Sequence, residues 1–287
     1  MNTKFIILIL ITLLFFSSNS ILVRMAFLNN SIDPYSFTFL RLFFGALTLI
    51  VILYFKEKKL NFSIKQNWLN SFMLFIYALC FSYAYINLDA GLGALILFAI
   101  VQFTIITIAI IKKEKLTIEQ IVGIFIAFIG LIYLLYPSKE TEISIYHFLL
   151  MTLSGIGWGI YTVLGKTSNN PVFSTTDNFL KTIIYLFLFY IFFIKDINIS
   201  SNGVLLAFLS GGITSYIGYV LWYYLLPNLK ITTSGVLQLL IPPITIFLGV
   251  IFLGEEVTFK LIISTTFILI GILIYLKGNK FNIQSIR

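Results

Sequence analysis

Apolar runs near 20 residues long alternate along the chain with short polar connections, and period-2 alternation is absent. A run of that length is what an α-helix needs to cross the hydrocarbon core of a bilayer. The pattern predicts spans at 4–26, 34–55, 67–88, 90–111, 117–136, 145–166, 176–195, 203–225, 232–253 and 258–276. The connections leave no room for a soluble domain. Thr117-Ile-Glu-Gln120 fits a capping box that starts the fifth helix. The expected fold is all-α, a polytopic membrane protein of ten transmembrane helices. A β-barrel is disfavoured, since its strands must alternate between lipid and lumen. Lys4, an apolar core and Ser17-Ser18 imitate a secretory signal. However, the apolar run continues past Asn19 to Phe27 and nine more follow, so the first run reads as a retained helix.

Composition agrees. The chain is 59% hydrophobic and only 10% charged, against about 25% charged in soluble domains, too little to cover a solvated surface. The net charge of +8 does not indicate nucleic acid, because Lys and Arg gather in the connections. Ten passes put both termini on one side. With that side cytoplasmic, Lys4, Lys56, Lys58, Lys59, Lys65, Lys112, Lys113, Lys115, Lys166, Lys230, Lys277, Lys280 and Arg287 fall inside, and Arg24, Lys139, Lys195 and Lys260 outside. Positive connections mark the cytoplasmic side. Both termini are therefore expected in the cytoplasm of a bacterial cell, whose AT-rich genome the many Ile, Asn, Lys and Phe residues suggest. Cys80 is the single cysteine and His147 the single histidine. No disulfide, metal site or cofactor is expected, and "GILIYLKGNK" lacks the GK[ST] of a phosphate loop.

The two halves are related. Residues 83–134 align without gaps on 224–275, at an offset of 141. Tyr83 meets Tyr224, Asn87-Leu88 meets Asn228-Leu229, Thr104-Ile105 meets Thr245-Ile246, Glu114 meets Glu255, Thr117 meets Thr258 and Gly130 meets Gly271. "FLR" at 39–41 matches "FLK" at 179–181, and "FSSNSILVR" ending at Arg24 matches "WGIYTVLGK" ending at Lys166. The repeats are 1–140 and 141–287. Each holds five spans, an odd number, so the second enters the membrane inverted. Secondary transporters use inverted repeats to build a midplane site that opens alternately to each side.

"DPYSFTFLR" after the first helix, "GALILFAIVQFTIITIAIIKKEKLT" and "SGVLQLLIPPITIFLGVIFLGEEVT" ending the fourth and ninth, and glycines 123, 130 and 271 beyond them carry a resemblance. The chain resembles the drug/metabolite transporter superfamily, in particular its EamA-type ten-helix members. The resemblance implies a basket of helices around a cavity, with the fifth and tenth at the periphery. It also implies a cargo of amino acids, other metabolites or drug-like compounds, usually moved outward. In one respect the chain departs from such members. They commonly carry a proline in the fourth helix as well as the ninth; here the ninth has Pro242-Pro243, but the fourth has Val101-Gln102.

Polar residues inside the spans are the candidate substrate-binding groups. Arg41 shares a helical face with Thr38, Gly45 and Thr48. It reads as an anion-attracting group near the outer mouth of a cavity, or as a snorkelling or structural arginine. Its repeat mate Lys181 has Asp177 four residues earlier, the spacing of a helical ion pair. Pro242-Pro243 removes two backbone donors beside Gln238, and freed carbonyls must face protein or a wet cavity. Asn19 lies in a Ser-Ser-Asn-Ser stretch. Its hydroxyls and amide can hold a polar solute, to which Trp158 and Tyr161 in the partner repeat can give a flat wall or a cation–π contact; interhelical hydrogen bonding is the alternative. Tyr83, Gln102, Tyr216 and Tyr219 carry the same two readings. Gly155/Gly159 and Gly211/Ser215 read as close packing, and Glu114 and Glu255 as solvated turn charges. No carboxylate lies at mid-span, so the coupling ion is not specified.

The function expected is a carrier exporting amino acids or related metabolites by alternating access, with the first, third, fourth, sixth, eighth and ninth helices lining the cavity. Its partners would be a small-molecule substrate and the lipid bilayer, not nucleic acid, and a homodimer stays open. The alternatives are a multidrug or nucleotide-sugar carrier of the same build and a non-transporting membrane scaffold. A membrane enzyme would need clustered His, Asp or Glu at one face, and none is seen.

Overall fold

The computed structural model describes residues 3–57, 67–136, 144–194 and 196–278. Lys58, Lys59, Lys65, Lys139, Lys195, Lys280 and Arg287, used above for orientation, lie outside the described residues. Among the described residues the chain is all-helical, with one isolated antiparallel bridge between Ile32 and Ile199. The first seven spans are Thr3–Leu28, Pro34–Glu57, Trp68–Ala84, Ala90–Ile111, Ile118–Leu135, Ile145–Gly165 and Pro171–Phe193. The eighth joins Ser201–Phe208, a π-helical Leu209–Ser215 and Tyr216–Leu225; the ninth joins Ile231–Gln238 and Ile241–Leu253; the tenth is Phe259–Gly278. Among the described residues, eight spans are long and apolar enough to cross a bilayer, and the third and fifth are shorter.

Local chemistry sets the ends. The Thr117/Gln120 capping box is present in full. The seventh span begins five residues earlier than its hydropathy suggests. Asn170 caps it, its side chain accepting from the Phe173 N–H at 3.1 Å, and Pro171 occupies the first turn. Proline there costs no helical bond, whereas apolarity alone starts the span at 176. The ninth span breaks before Pro242-Pro243, where the Leu239 and Leu240 N–H groups tighten onto Val236 and Leu237 carbonyls. The Ile241 carbonyl accepts from Ser17 Oγ of the first span at 3.3 Å. The first and ninth spans are thus tied by a side-chain-to-backbone bond just past the break.

The packing closes on itself when the halves are exchanged. The first span packs on the ninth as the sixth does on the fourth, and on the eighth as the sixth does on the third. Second-with-eighth mirrors seventh-with-third. The pairs second–seventh, fourth–ninth and fifth–tenth map onto themselves, as a two-fold axis requires of corresponding elements. The fifth and tenth spans pack chiefly on each other. A Cβ at Gly123 would lie 2.5 Å from the Gly271 carbonyl oxygen, and one at Gly271 would lie 2.5 Å from that of Gly123. Glycines let the backbones touch there. Gly123→Leu is expected to lower the melting temperature in detergent, because overpacking a tight helix contact costs about 1–3 kcal/mol. A thermal unfolding scan of the purified protein checks this, and an unchanged scan would remove the contact from the stability of the fold.

Candidate functional site

Arg41 lies two turns into the second span and is fully buried. Its Nε donates to Ser215 Oγ at 3.1 Å and its Nη2 to Tyr219 Oη at 3.0 Å, with a longer 3.5 Å bond to Tyr77 Oη. Its guanidinium carbon stands 5.4 Å from the Phe81 ring centroid and 5.8 Å from that of Tyr77. Nη1 has no hydrogen-bond partner among the described residues. The described ion pairs are Arg24–Asp89 and Lys181–Asp177, so no carboxylate neutralises Arg41. The side chain points into the bundle and does not snorkel, and the groups it donates to are side-chain hydroxyls rather than backbone carbonyls.

The π-helical turn explains how a backbone reaches this charge. Gly211 sits so close to the second span that a Cβ would fall 1.8 Å from the Arg41 carbonyl oxygen. The wider π-turn aims Ser210, Thr214 and Ser215 at one acceptor, Asn19 Oδ1, at 2.8, 2.8 and 3.2 Å. Ser215 therefore gives its proton to Asn19 and offers its lone pair to Arg41. Insertions of this kind often mark functional positions. Reading the eighth span as one uninterrupted helix missed it, although the small-residue spacing at Gly211 and Ser215 had marked the close approach.

Aromatic side chains pack around the same groups. Trp158 is surrounded by Tyr77, Tyr219, Phe16 and Tyr161 at centroid distances of 4.8, 5.0, 5.2 and 5.4 Å. Its Nε1 donates to Gln238 Oε1 at 2.6 Å, and Gln238 Nε2 donates to the Ser234 carbonyl. Tyr161 continues to Tyr223, 5.1 Å away, and Asn178 Nδ2 donates to both their hydroxyls at 3.3 Å. Tyr223 also borders a cavity of about 260 Å³ lined by Asn67, Asn70, Ser168, Asn169, Asn170 and Ser174, among others. That cavity opens at the face where the chain begins and ends.

Of the sequence candidates, Asn19, Arg41, Trp158, Tyr161, Tyr219 and Gln238 converge here. Gln102 is buried with neither amide atom partnered, its oxygen against Gly235 of the ninth span. Tyr83 and Tyr216 are half-buried and outside the ring cluster. Tyr77, Phe81, Phe16, Asn178 and Tyr223 join the site without having been singled out, and Ser215, read only as a close-packing residue, joins it as the acceptor for Arg41 Nε. Tyr77/Phe81 and Tyr219/Tyr223 are four residues apart, the spacing that stacks side chains on one helix face. Lys181 forms the expected pair with Asp177 at 2.7 Å, and Asn67 Nδ2 also donates to that carboxylate.

The span ends overturn one expectation. Glu255 and Glu114 are not solvated turn charges; each reaches across to the other repeat. Glu255 accepts from the Ala90 and Gly91 N–H groups at 2.6 and 3.2 Å, capping the fourth span. Glu114 accepts from Thr232 Oγ1 at 2.9 Å, at the start of the ninth. A carboxylate suits a helix N-terminus, where free N–H groups and the dipole both favour it. Partial burial still raises the Glu255 pKa above the ordinary range. The basic ends are likewise related. Arg24 Nη1 donates to the Tyr85 and Ile86 carbonyls, and Lys166 Nζ to those of Leu226 and Leu229. Burial lowers the Lys166 pKa.

Asn19→Ala should strand the hydroxyls of Ser210 and Ser215 and loosen Arg41. The expected loss is about 1–3 kcal/mol of stability, measured by thermal unfolding, with Asn19→Asp retaining the acceptor. Equal stability of Asn19→Ala and the native protein would mean that the hydroxyls do not depend on it.

The model of the EamA-like transporter family matches the chain twice, at residues 3–136 and 146–277. An uncharacterized protein of Pseudomonas aeruginosa is 36% identical over 275 residues, covering 96% of this chain and 95% of its own. An uncharacterized transporter of Archaeoglobus fulgidus is 28% identical over 218 residues, 72% of this chain and 76% of its own. A solved crystal structure superposes with a TM-score of 0.71 at 17% identity, covering 92% of this chain and 98% of that one, a likeness of fold.

Proposed function

The chain belongs to the EamA-like transporter family, and on that premise we propose that it is a secondary carrier that exports amino acids or related small metabolites by alternating access. Both termini lie in the cytoplasm and the protein sits in the cell membrane of a bacterium. The observation that carries the reading is a polar cavity at the terminal face. It ends at Tyr223, which joins Tyr161 and the ring cluster around a buried, unneutralised Arg41.

Solute enters the cavity among amide and hydroxyl side chains, which replace part of its hydration. The Tyr161–Tyr223–Asn178 contact is neutral and held by two long bonds, so it can part without separating charges. Beyond it, Arg41, Asn19, Trp158, Tyr161, Tyr219, Gln102 and Gln238 form the binding site. At the far face the Arg24–Asp89 pair and the Glu255 cap tie the first, fourth and ninth spans together. Release there requires those ties to open while the related contacts at Lys166 and Glu114 close the loading side. The two-fold packing supports such an exchange, because each arrangement is built from equivalent spans.

The test is counterflow in proteoliposomes with a panel of amino acids, nucleosides and amphiphilic cations, preceded by a thermal-shift screen. Arg41→Ala is expected to cut flux at least about tenfold, from the loss of a charge-assisted bond of about 1.5–3 kcal/mol, while its elution profile stays that of a folded protein. Flux of no compound in the panel would remove the carrier reading; unchanged flux in Arg41→Ala would return Arg41 to a structural role.

A further inference from the structure

We propose that the cargo carries a net single negative charge: an organic carboxylate with a flat, apolar body, bound through Arg41. This rests on the carrier reading above and, within it, favours acidic related metabolites over amino acids, which are zwitterions.

Charge balance within the spans carries the argument. Lys181 and Asp177 cancel at 2.7 Å. Arg41 is fully buried and its partners among the described residues are neutral hydroxyls and ring faces. A buried charge is costly unless it is paired. An anion seated on Arg41 brings the site to neutrality. A zwitterion leaves one positive charge buried, and a cation adds a second beside it.

The geometry fits a planar oxyanion. Guanidinium groups present a rigid fork that matches a carboxylate two-to-two. Nη1 is the free arm of that fork. The adjacent Nη2 holds Tyr219 firmly but Tyr77 only at 3.5 Å, the limit of a hydrogen bond. A carboxylate bridging Nη1 and Nη2 therefore displaces only the weakest of the three bonds. Tyr77 and Tyr219 stand beside it with phenol hydroxyls.

The surroundings select an organic body. Trp158, Phe16, Tyr161 and Tyr219 form one contiguous cluster of rings, which meets the charge through Tyr219 and Tyr77, and rings offer flat apolar groups a large contact area. A small inorganic anion would make no use of them. The approach is consistent, since among the described residues no Asp or Glu lines the polar cavity at the terminal face.

The test uses one skeleton in three charge states: N-acetylphenylalanine as the anion, phenylalanine as the zwitterion and phenylalaninamide as the cation. Ligand-dependent thermal shifts of the full-length protein give relative affinities, and proteoliposome uptake corrected for protein-free vesicles gives flux. The anion is expected to bind about tenfold or more tighter than either relative, a gap of 1.4 kcal/mol. Arg41→Gln should abolish that preference, and Arg41→Lys, which keeps the charge without the fork, should retain part of it. Equal or tighter binding of the zwitterion or cation overturns the inference and leaves the carrier reading standing. A preference for the anion that survives Arg41→Gln overturns it as well, by placing the anion elsewhere. No shift with the anion also overturns it, and the panel counterflow above then decides the carrier reading separately.

Discussion

A guanidinium sealed among ten apolar helices has to be satisfied by whatever the neighbouring helices can bring to it. At Arg41 they bring hydroxyls and ring faces rather than a carboxylate. Much of the local architecture follows from that requirement. Ser215 must accept from Nε, so its proton must go elsewhere, and Asn19 on the first span receives it. Three hydroxyls can converge on Asn19 only because the eighth span widens into a π-turn, and the turn can lie against the second span only because Gly211 lacks a side chain. Each step fixes a different pair of spans. The first, second, third and eighth are thus tied through one cation.

The larger features were legible from apolar periodicity, because lipid imposes a single solution on every pass: a helix with its backbone groups paired internally. The odd number of passes per repeat fixed the inverted relation, and the offset of 141 anticipated the exchange of contacts between halves. Spacing could not show the departures from ideal helices. The π-turn adds a residue without altering hydropathy, and the Asn170–Pro171 start adds a polar turn that hydropathy counts as loop. Glu114 and Glu255 were misread for a related reason. Their partners lie in the other repeat, on backbone and hydroxyl groups that no local pattern names. Arg41, Asn19, Trp158 and Gln238 stood out as polar groups on apolar faces. Tyr77, Phe81 and Tyr223 did not, since in a chain with 16 tyrosines and 30 phenylalanines one more ring carries little information.

The repeats also explain why the two faces are built alike. Arg24 and Lys166 each end a span on backbone carbonyls, and Glu255 and Glu114 each reach the start of a span in the opposite half. A structure whose two ends use equivalent contacts can trade one set for the other at small net cost, which is what alternating access asks of it. The equivalence is not complete. Asp89, which pairs with Arg24, corresponds to Lys230 at the other end. The Arg24–Asp89 pair therefore has no like counterpart at the terminal face.

The same kind of inequality separates Arg41 from its mate. Both repeats place a basic residue at the corresponding point, as Arg41 and Lys181. Only the second supplies an acid one turn earlier, Asp177, whose counterpart in the first is Phe37. Lys181 is thereby neutral as a pair and shares its carboxylate with Asn67, which binds the seventh span to the third. Arg41 keeps its charge. Were both basic residues needed only to hold spans together, the neutral solution would serve in each half, since an unpaired charge at this depth costs more than a paired one. The excess cost sits at the one position walled by aromatic rings. It is offset when something of opposite charge arrives there.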